Sequence, residues 1–270
     1  MVAGREQLIS GMHMVGTKKS LGQHWLKNRE ILNKIADLAS DDDAESDCNE
    51  ERPRLCLEIG PGLGFLTSSL LRRFDKVIAV EFDERLAENL PKSFPGKNLK
   101  IIKGDILQYD FGRISESYVV AGNIPYYITS PIIEKVLTTS RLPRRVVLLI
   151  QEEVADRILD KKETLLSLFV KNRASVSAGI VVPASEFTPP PKVDSKVIIM
   201  TPHAPIVSEK VFELIQRGFR TPRKKVIHNL MGLGSKEELA KVLVGLGVSA
   251  DARPGDLSLE IWQKLYDILF

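Results

Sequence analysis

Between about residues 28 and 201, short apolar runs alternate with longer stretches in which apolar positions return every third or fourth residue. Beyond residue 207 only the second pattern remains. Residues 54–59 (RLCLEI), 76–81 (KVIAVE), 99–103, 118–122 and 145–151 (RVVLLIQ) are runs of the first kind. Each predicts a strand buried on both faces. Helices are predicted between them: at 65–74, after Asp83, from Thr129-Ser130 with Pro131 as the first helical residue, and after the fifth strand through Leu159. Such alternation predicts a mostly parallel sheet covered on both faces. Two later runs, 175–182 and 196–201, predict a hairpin closing the same sheet. Upstream, Asn28 caps a predicted helix whose Ile31, Ile35 and Leu38 share one face. Downstream, Val211, Leu214, Ile215 and Gly218 mark one helix, and Thr221 with Pro222 opens another that ends near Gly232. Ser235 with Glu238 forms a capping box, and Ser258 opens a last helix with Ile261, Trp262, Leu265 and Leu269. The expected organisation is an arm at 1–27, a Rossmann-like α/β domain at 28–203 and a small all-helical domain at 204–270.

Charge sharpens this picture. The net charge is only +3, but residues 40–51 hold seven acids and no base. A self-repelling block of this kind predicts a solvated loop, and the rest of the chain is correspondingly basic. A basic surface suits a polyanion such as RNA. Lys18, Lys19, Lys27 and Arg29 form one cluster, and Arg217, Arg220, Arg223, Lys224 and Lys225 another within nine residues. If Pro222 begins a helix, the last three cations occupy its first turn. There they oppose the helix dipole, by roughly a few tenths of a kcal/mol each, unless phosphates approach that end.

Two cysteines, Cys48 and Cys56, are too few for a disulfide framework, and no Cys/His grouping has metal-ligand spacing, so no metal is expected. No apolar run is long enough to span a membrane, and residues 1–20 lack the apolar core of a secretory leader. The expectation is a cytoplasmic protein without a membrane partner.

The candidate chemistry gathers at strand ends. Residues 58–64 (EIGPGLG) follow the first strand, where Gly60 and Gly62 let the backbone turn sharply and a ligand approach the main chain. Glu81 ends the second strand and can accept two ribose hydroxyls; Asp105 follows the third and can accept from an adenine amine. A nicotinamide dinucleotide would want similar residues. However, the third glycine comes one residue too early for the phosphate-cradling G-x-G-x-x-G, and S-adenosyl-L-methionine has no phosphate to cradle.

Asn123-Ile124-Pro125-Tyr126 follows the fourth strand and resembles the N-x-P-Y motif of amino-group methyltransferases. The N6 lone pair of adenine is delocalised into the ring, so the amine is a poor nucleophile. The Asn123 side-chain carbonyl and the Pro125 main-chain carbonyl can each accept one N6 hydrogen and aim the lone pair at a sulfonium methyl. Tyr126 can stack on the base. A base drawn out of its helix also needs a second stacking surface, for which Phe187 in the proline-rich 187–195 (FTPPPKVDS) is the candidate; the alternative is a rigid connector with a core phenylalanine.

From about Thr17 to the end, the chain resembles the ribosomal RNA adenine dimethylases linked to kasugamycin sensitivity. The resemblance rests on 20–26 (SLGQHWL), 58–64, 80–83 (VEFD), Gly104-Asp105, 123–131 (NIPYYITSP), 187–195, Arg253-Pro254 and Leu257-Ser258. It implies a class I methyltransferase sheet and S-adenosyl-L-methionine as cofactor. Gly60, Glu81, Asp105 and Asn123 match cofactor-contacting positions, and the backbones of His24 and Leu26 complete that pocket. It also implies two adjacent adenosines near the 3′ end of small-subunit rRNA, each methylated twice within a partly assembled particle; the chain itself is expected to act as a monomer. The chain departs from the family at His24-Trp25, where Phe is usual in second place, and at 163–171 (ETLLSLFVK), which keeps only the Leu-Ser part of the usual pattern. Two other readings share the scaffold. One is a 23S-directed adenine dimethylase, whose glycine turn usually carries Lys where Leu63 stands. The other is a non-catalytic RNA-binding factor, which an intact 123–126 site argues against.

Overall fold

The computed structural model describes residues 23–40 and 53–270. The predicted arm through Gly22, with Lys18 and Lys19, lies outside the described residues, as does the acidic stretch from Asp41 to Glu51. The α/β part runs β1 (Trp25–Leu26), α1 (Arg29–Ser40), β2 (Leu55–Ile59), α2 (Phe65–Leu70), β3 (Lys76–Glu81), α3 (Glu84–Asn89), β4 (Leu99–Lys103), β5 (Tyr118–Asn123), α4 (Thr129–Leu137) and β6 (Arg145–Gln151). It continues through α5 (Glu152–Leu159), α6 (Leu165–Arg173), β7 (Ala174–Val182), β8 (Phe187–Thr188) and β9 (Ser195–Pro202). The last helices are α7 (Glu209–Gly218), α8 (Val226–Leu230), α9 (Lys236–Gly245) and α10 (Leu259–Leu269).

Seven strands form one sheet in the order β4-β3-β2-β5-β6-β9-β7. The first five pair in parallel, and β9 returns antiparallel to β6. The expected closing hairpin is thus the β7/β9 edge. β2 is buried at every position, and β5 and β6 at all but their last, which explains their near-continuous apolar runs. The chain steps outward from β2 to β3 and β4, then returns to lay β5 on the other side of β2. That reversal opens a crevice at the carboxyl ends of β2 and β5. Ile59 is in register with both Val80 and Gly122. Gly60, Glu81 and Asn123 therefore emerge side by side.

α1 is capped as expected: Asn28 Oδ1 accepts from the Glu30 and Ile31 amides at 3.0 and 3.3 Å. Its Leu32, Ile35, Ala36 and Ala39 join the core cluster with Leu70, Val119, Val147 and Val197. Two helix boundaries differ from expectation. α2 stops at Leu70, and the backbone up to the buried Phe74 makes a turn instead. α4 begins at Thr129 because a 3-10 turn, Tyr126–Ile128, runs straight into it, so Pro131 stands third rather than first. It is still within the first turn, where its missing N–H costs nothing.

The chain divides into two compact units. One holds the described residues up to Ala155 together with Ser177–Pro202; the other holds Asp156–Val176 and His203–Phe270. A division at 203/204 therefore misassigns 156–176. Asn172 explains why: its Oδ1 accepts from the Val207 amide at 2.8 Å and its carbonyl from the Ile206 amide at 2.9 Å. The core of the second unit is built on Trp262, fully buried with Leu168, Val211, Phe212, Ile215, Leu243 and Leu265. α9 opens on the predicted capping box, with Ser235 N to Glu238 Oε2 at 2.8 Å and Glu238 N to Ser235 Oγ at 3.2 Å. α8 begins at Val226, four residues later than Pro222 suggested. Thr221 to Lys224 is a turn closed by Lys224 N to Thr221 O at 3.0 Å. Proline suits the second position of such a turn for the same reason it suits a helix start, a φ fixed near −65°.

Candidate active site

The crevice holds a cavity of about 280 Å³, close to the lower end of the roughly 300–1,000 Å³ usual for small-molecule sites. Its wall brings together His24, Leu26, Gly60, Gly62, Glu81, Asp105, Asn123, Pro125 and Tyr126 from five separate stretches of sequence.

The glycine turn is held against β3 twice, by Gly60 N to Val80 O at 3.0 Å and by Gly62 N to Glu81 Oε2 at 2.9 Å. Gly60 has φ +64°, and a Cβ there would meet nothing within 4 Å. The main chain is therefore bare on the side a ligand would approach. The other oxygen of Glu81 accepts from Asp83 N at 2.8 Å. Burial raises the Glu81 carboxyl above the ordinary range despite these amides. Each of its oxygens retains a lone pair for a ribose hydroxyl. Asp83 is the opposite case: hydrogen bonds from the Arg85 side chain hold it down at about 2. It supports the turn from behind, with Gln23 Nε2 donating to it at 3.3 Å. Asp105 uses Oδ1 to cap Leu107 N at 2.9 Å, leaving Oδ2 for an adenine amine.

At the end of β5, Asn123 Nδ2 donates to His24 O at 3.1 Å. A carbonyl can only accept, so this bond assigns the amide's orientation and leaves Oδ1 as a free acceptor. His24 is fixed in turn, its Nδ1–H donating to Pro189 O at 2.7 Å. The His24 ring lies nearly parallel to Tyr126, with centroids 6.0 Å apart. The Tyr126 hydroxyl shares a 2.7 Å hydrogen bond with the buried Ser195 Oγ, and burial raises its phenol. The Pro125 carbonyl accepts a long bond from Ile128 N at 3.3 Å and keeps a second lone pair. The donor set fits an adenosyl cofactor: two carboxyls with spare acceptor sites, an exposed main chain at Gly60, and no phosphate cradle.

One predicted residue is elsewhere. Phe187 is only 3% exposed and packs in the core, with its strand β8 paired to β1 through Leu26↔Phe187. It does not line the cavity, so its assignment as a stacking surface is corrected to the core phenylalanine of a rigid connector. The exposed aromatics on the cavity wall are Phe82 and Tyr127, 64% and 61% exposed, neither of which the local pattern singles out as a stacking surface. Glu58 was also missed. It lies within the apolar run of β2, is 1% exposed and lines the cavity. A carboxylate inside an otherwise apolar strand was the available signal.

In the second unit, Arg220, Arg223, Lys224 and Lys225 are all exposed. Lys225 is the residue that precedes α8, and its ammonium is paired with Asp251. Among the described residues no grouping could hold a metal ion, and no helix is long and apolar enough to cross a membrane.

Residues 14–269 match the family model described as ribosomal RNA adenine dimethylase. A protein from Synechocystis sp. named ribosomal RNA small subunit methyltransferase A is 38% identical, over 93% of this chain and 96% of its own. A protein of the same name from Dehalococcoides mccartyi is 37% identical over 98% and 92%. Among solved structures, a dimethyladenosine transferase from Plasmodium falciparum superposes with TM-score 0.70 at 28% identity, covering 90% of this chain and 96% of its own. The 23S rRNA methyltransferase ErmE superposes with TM-score 0.72 at 24% identity, covering 91% and 99%, a likeness of fold.

Proposed function

The chain belongs to the ribosomal RNA adenine dimethylase family, and from that membership we propose that it converts two adjacent adenosines near the 3′ end of small-subunit rRNA to N6,N6-dimethyladenosine. It is an S-adenosyl-L-methionine-dependent methyltransferase, and the cofactor supplies an electrophilic sulfonium methyl. Its setting is the cytoplasm, its substrate the RNA of a partly assembled small subunit, and its working form a monomer. The small-subunit choice over 23S RNA is supported by identities of 36–38% to small-subunit methyltransferases along nearly the whole chain.

The observation that carries the chemistry is the Asn123 amide. Its nitrogen is committed to His24 O, so its oxygen stands as an acceptor near the Pro125 carbonyl. Two acceptors on the N6 hydrogens draw the amine toward tetrahedral geometry and hold its lone pair in line. The Tyr126 ring, fixed by Ser195 and His24, offers a preset surface for an unstacked base. The amine proton can leave to water, so no strong general base is needed. Glu81 and Asp105 hold the ribose and adenine, with the backbones of Gly60, Gly62, His24 and Leu26 completing the pocket.

The test is labelled methyl transfer to unmethylated small subunits and, separately, to 23S RNA, with mass analysis of the product. N6,N6-dimethyladenosine in small-subunit RNA is expected. Label in 23S RNA alone, or none in either, would overturn the reading.

Arg220, Arg223, Lys224 and Lys225 are proposed to bind RNA phosphates, with Lys18 and Lys19 of the arm. Replacing Arg223 and Lys224 together with Ala is expected to weaken rRNA binding. It should also lower the slope of log K against log salt by about 1 to 2, since each lost phosphate contact removes roughly 0.7–0.9. Salt titrations of binding decide this; an unchanged slope removes the role.

A further inference from the structure

The cavity wall carries three carboxyls. Glu58, Glu81 and Asp105 line it, and among the described residues no Lys or Arg does. Glu81 and Asp105 have amide donors. Glu58 is less well provided. Its Oε2 accepts from Thr67 Oγ1 at 2.6 Å, but Oε1 is buried with no partner among the described residues. We propose that Glu58 is a proton-exchanging counter-charge for the cofactor: protonated when the pocket lacks a sulfonium, ionised when S-adenosyl-L-methionine is bound, and protonated again when the uncharged thioether product takes its place. This rests on the cofactor assignment of the cavity.

The surroundings of Glu58 support such behaviour from every side. In register it faces Ala79 on β3 and Ala121 on β5, which bring no charge. Glu81 at the end of β3 adds like charge, and the Cys56 thiol on β2 is itself buried and raised. α2 offers only the neutral Thr67 hydroxyl. His24 and Asp105 line the same cavity from just before β1 and from the loop after β4. Burial therefore raises the Glu58 carboxyl to about 8, with Thr67 opposing, and it holds its proton at neutral pH.

A sulfonium cannot titrate. Bound in this cavity, it provides the positive charge the wall lacks, and Glu58 gives up its proton to match. Methyl transfer turns the sulfonium into a thioether and removes that charge. The carboxylate is again uncompensated, and taking up a proton restores neutrality. The sign follows directly: binding that favours the ionised form strengthens as pH rises, until the carboxyl is already ionised in the free protein at about pH 8. An enzyme that places two methyls on one amine must exchange spent for fresh cofactor. A carboxyl responding to the sulfonium biases that exchange toward the fresh one.

The experiment is calorimetric titration of the full chain with S-adenosyl-L-methionine and with S-adenosyl-L-homocysteine, in two buffers of different ionisation enthalpy, from pH 6.5 to 9. S-adenosyl-L-methionine is expected to release about one proton near pH 7, and its Kd should fall up to about tenfold per pH unit before levelling near pH 8. S-adenosyl-L-homocysteine should release clearly less and show a flatter profile. Glu58→Gln, which keeps shape and the Thr67 acceptor, should abolish both the release and the slope. Thr67→Val removes the donor that favours the ionised form, so the levelling point should move to higher pH. If Glu58→Gln does not fold, that shift and the wild-type profiles still decide. Equal release with both ligands, none with S-adenosyl-L-methionine, or a slope that survives in Glu58→Gln overturns the inference. Failure of S-adenosyl-L-methionine to bind at any pH overturns the cofactor assignment itself.

Discussion

Asn123→Ala is expected to lower kcat for methyl transfer by about a hundred- to a thousandfold, the loss seen when one preorganised polar group is removed from a charge-developing centre, roughly 2.7–4 kcal/mol. Two things are lost together. The free Oδ1 no longer takes an N6 hydrogen, and the bond from Nδ2 to His24 O disappears. The second loss loosens the His24–Tyr126 stack. Asn123→Asp separates the roles. It keeps an acceptor oxygen but cannot donate to His24 O, and it sets an anion about 3 Å from that carbonyl, so it too should be nearly inactive. Single-turnover rates at saturating cofactor, with binding followed through the fluorescence of Trp25 on the cavity wall, separate chemistry from affinity. If Asn123→Ala keeps more than a tenth of the wild-type rate, N6 positioning lies elsewhere.

The strands of this fold could be read from the chain nearly residue for residue, because β2, β5 and β6 are buried on both faces and so are apolar along most of their length. The carboxyl ends of β2, β3 and β5 carry Gly60, Glu81 and Asn123, so most of the cavity wall came with them. What escaped was non-local. Phe187 belongs to a two-residue strand whose partner, Leu26, is 161 positions away, and no local pattern announces that pairing. Proline context alone made it look like a loop residue with a free ring. Thr221-Pro222 failed for a different reason. The same fixed φ serves a helix start and a turn, and what accompanies the turn here is non-local: Asn229 Nδ2 donates to the Gly218 and Thr221 carbonyls at 2.6 and 3.3 Å. Glu58 was hidden by its own strand, since one carboxylate does not break an apolar run.

The same glycine turn contains a second large effect, visible only when two of its positions are compared. Gly60 and Gly64 both lie in the left-handed region, at φ +64° and +83°. An alanine at either position costs about 1–2 kcal/mol in backbone strain. Their surroundings differ. A methyl at Gly60 meets nothing within 4 Å, whereas at Gly64 it would lie 2.5 Å from Leu90 Cδ1 and 2.8 Å from Phe94 Cε2. Leu90 is buried, so relief requires repacking, and overpacking adds about 1–3 kcal/mol. Gly64→Ala is therefore expected to lose about 2–5 kcal/mol, up to half or more of a domain stability of roughly 5–15 kcal/mol. Gly60→Ala should lose only the strain. Its new methyl, however, occupies space where the cofactor meets the main chain, so its Kd for S-adenosyl-L-methionine should rise at least about tenfold, the effect of roughly 1.4 kcal/mol of lost contact. Denaturant midpoints and fluorescence titrations of both variants measure the two effects independently. Equal losses of stability would mean that Leu90 and Phe94 yield freely. Normal cofactor binding by Gly60→Ala would mean that the bare main chain at the end of β2 is not where the ligand approaches.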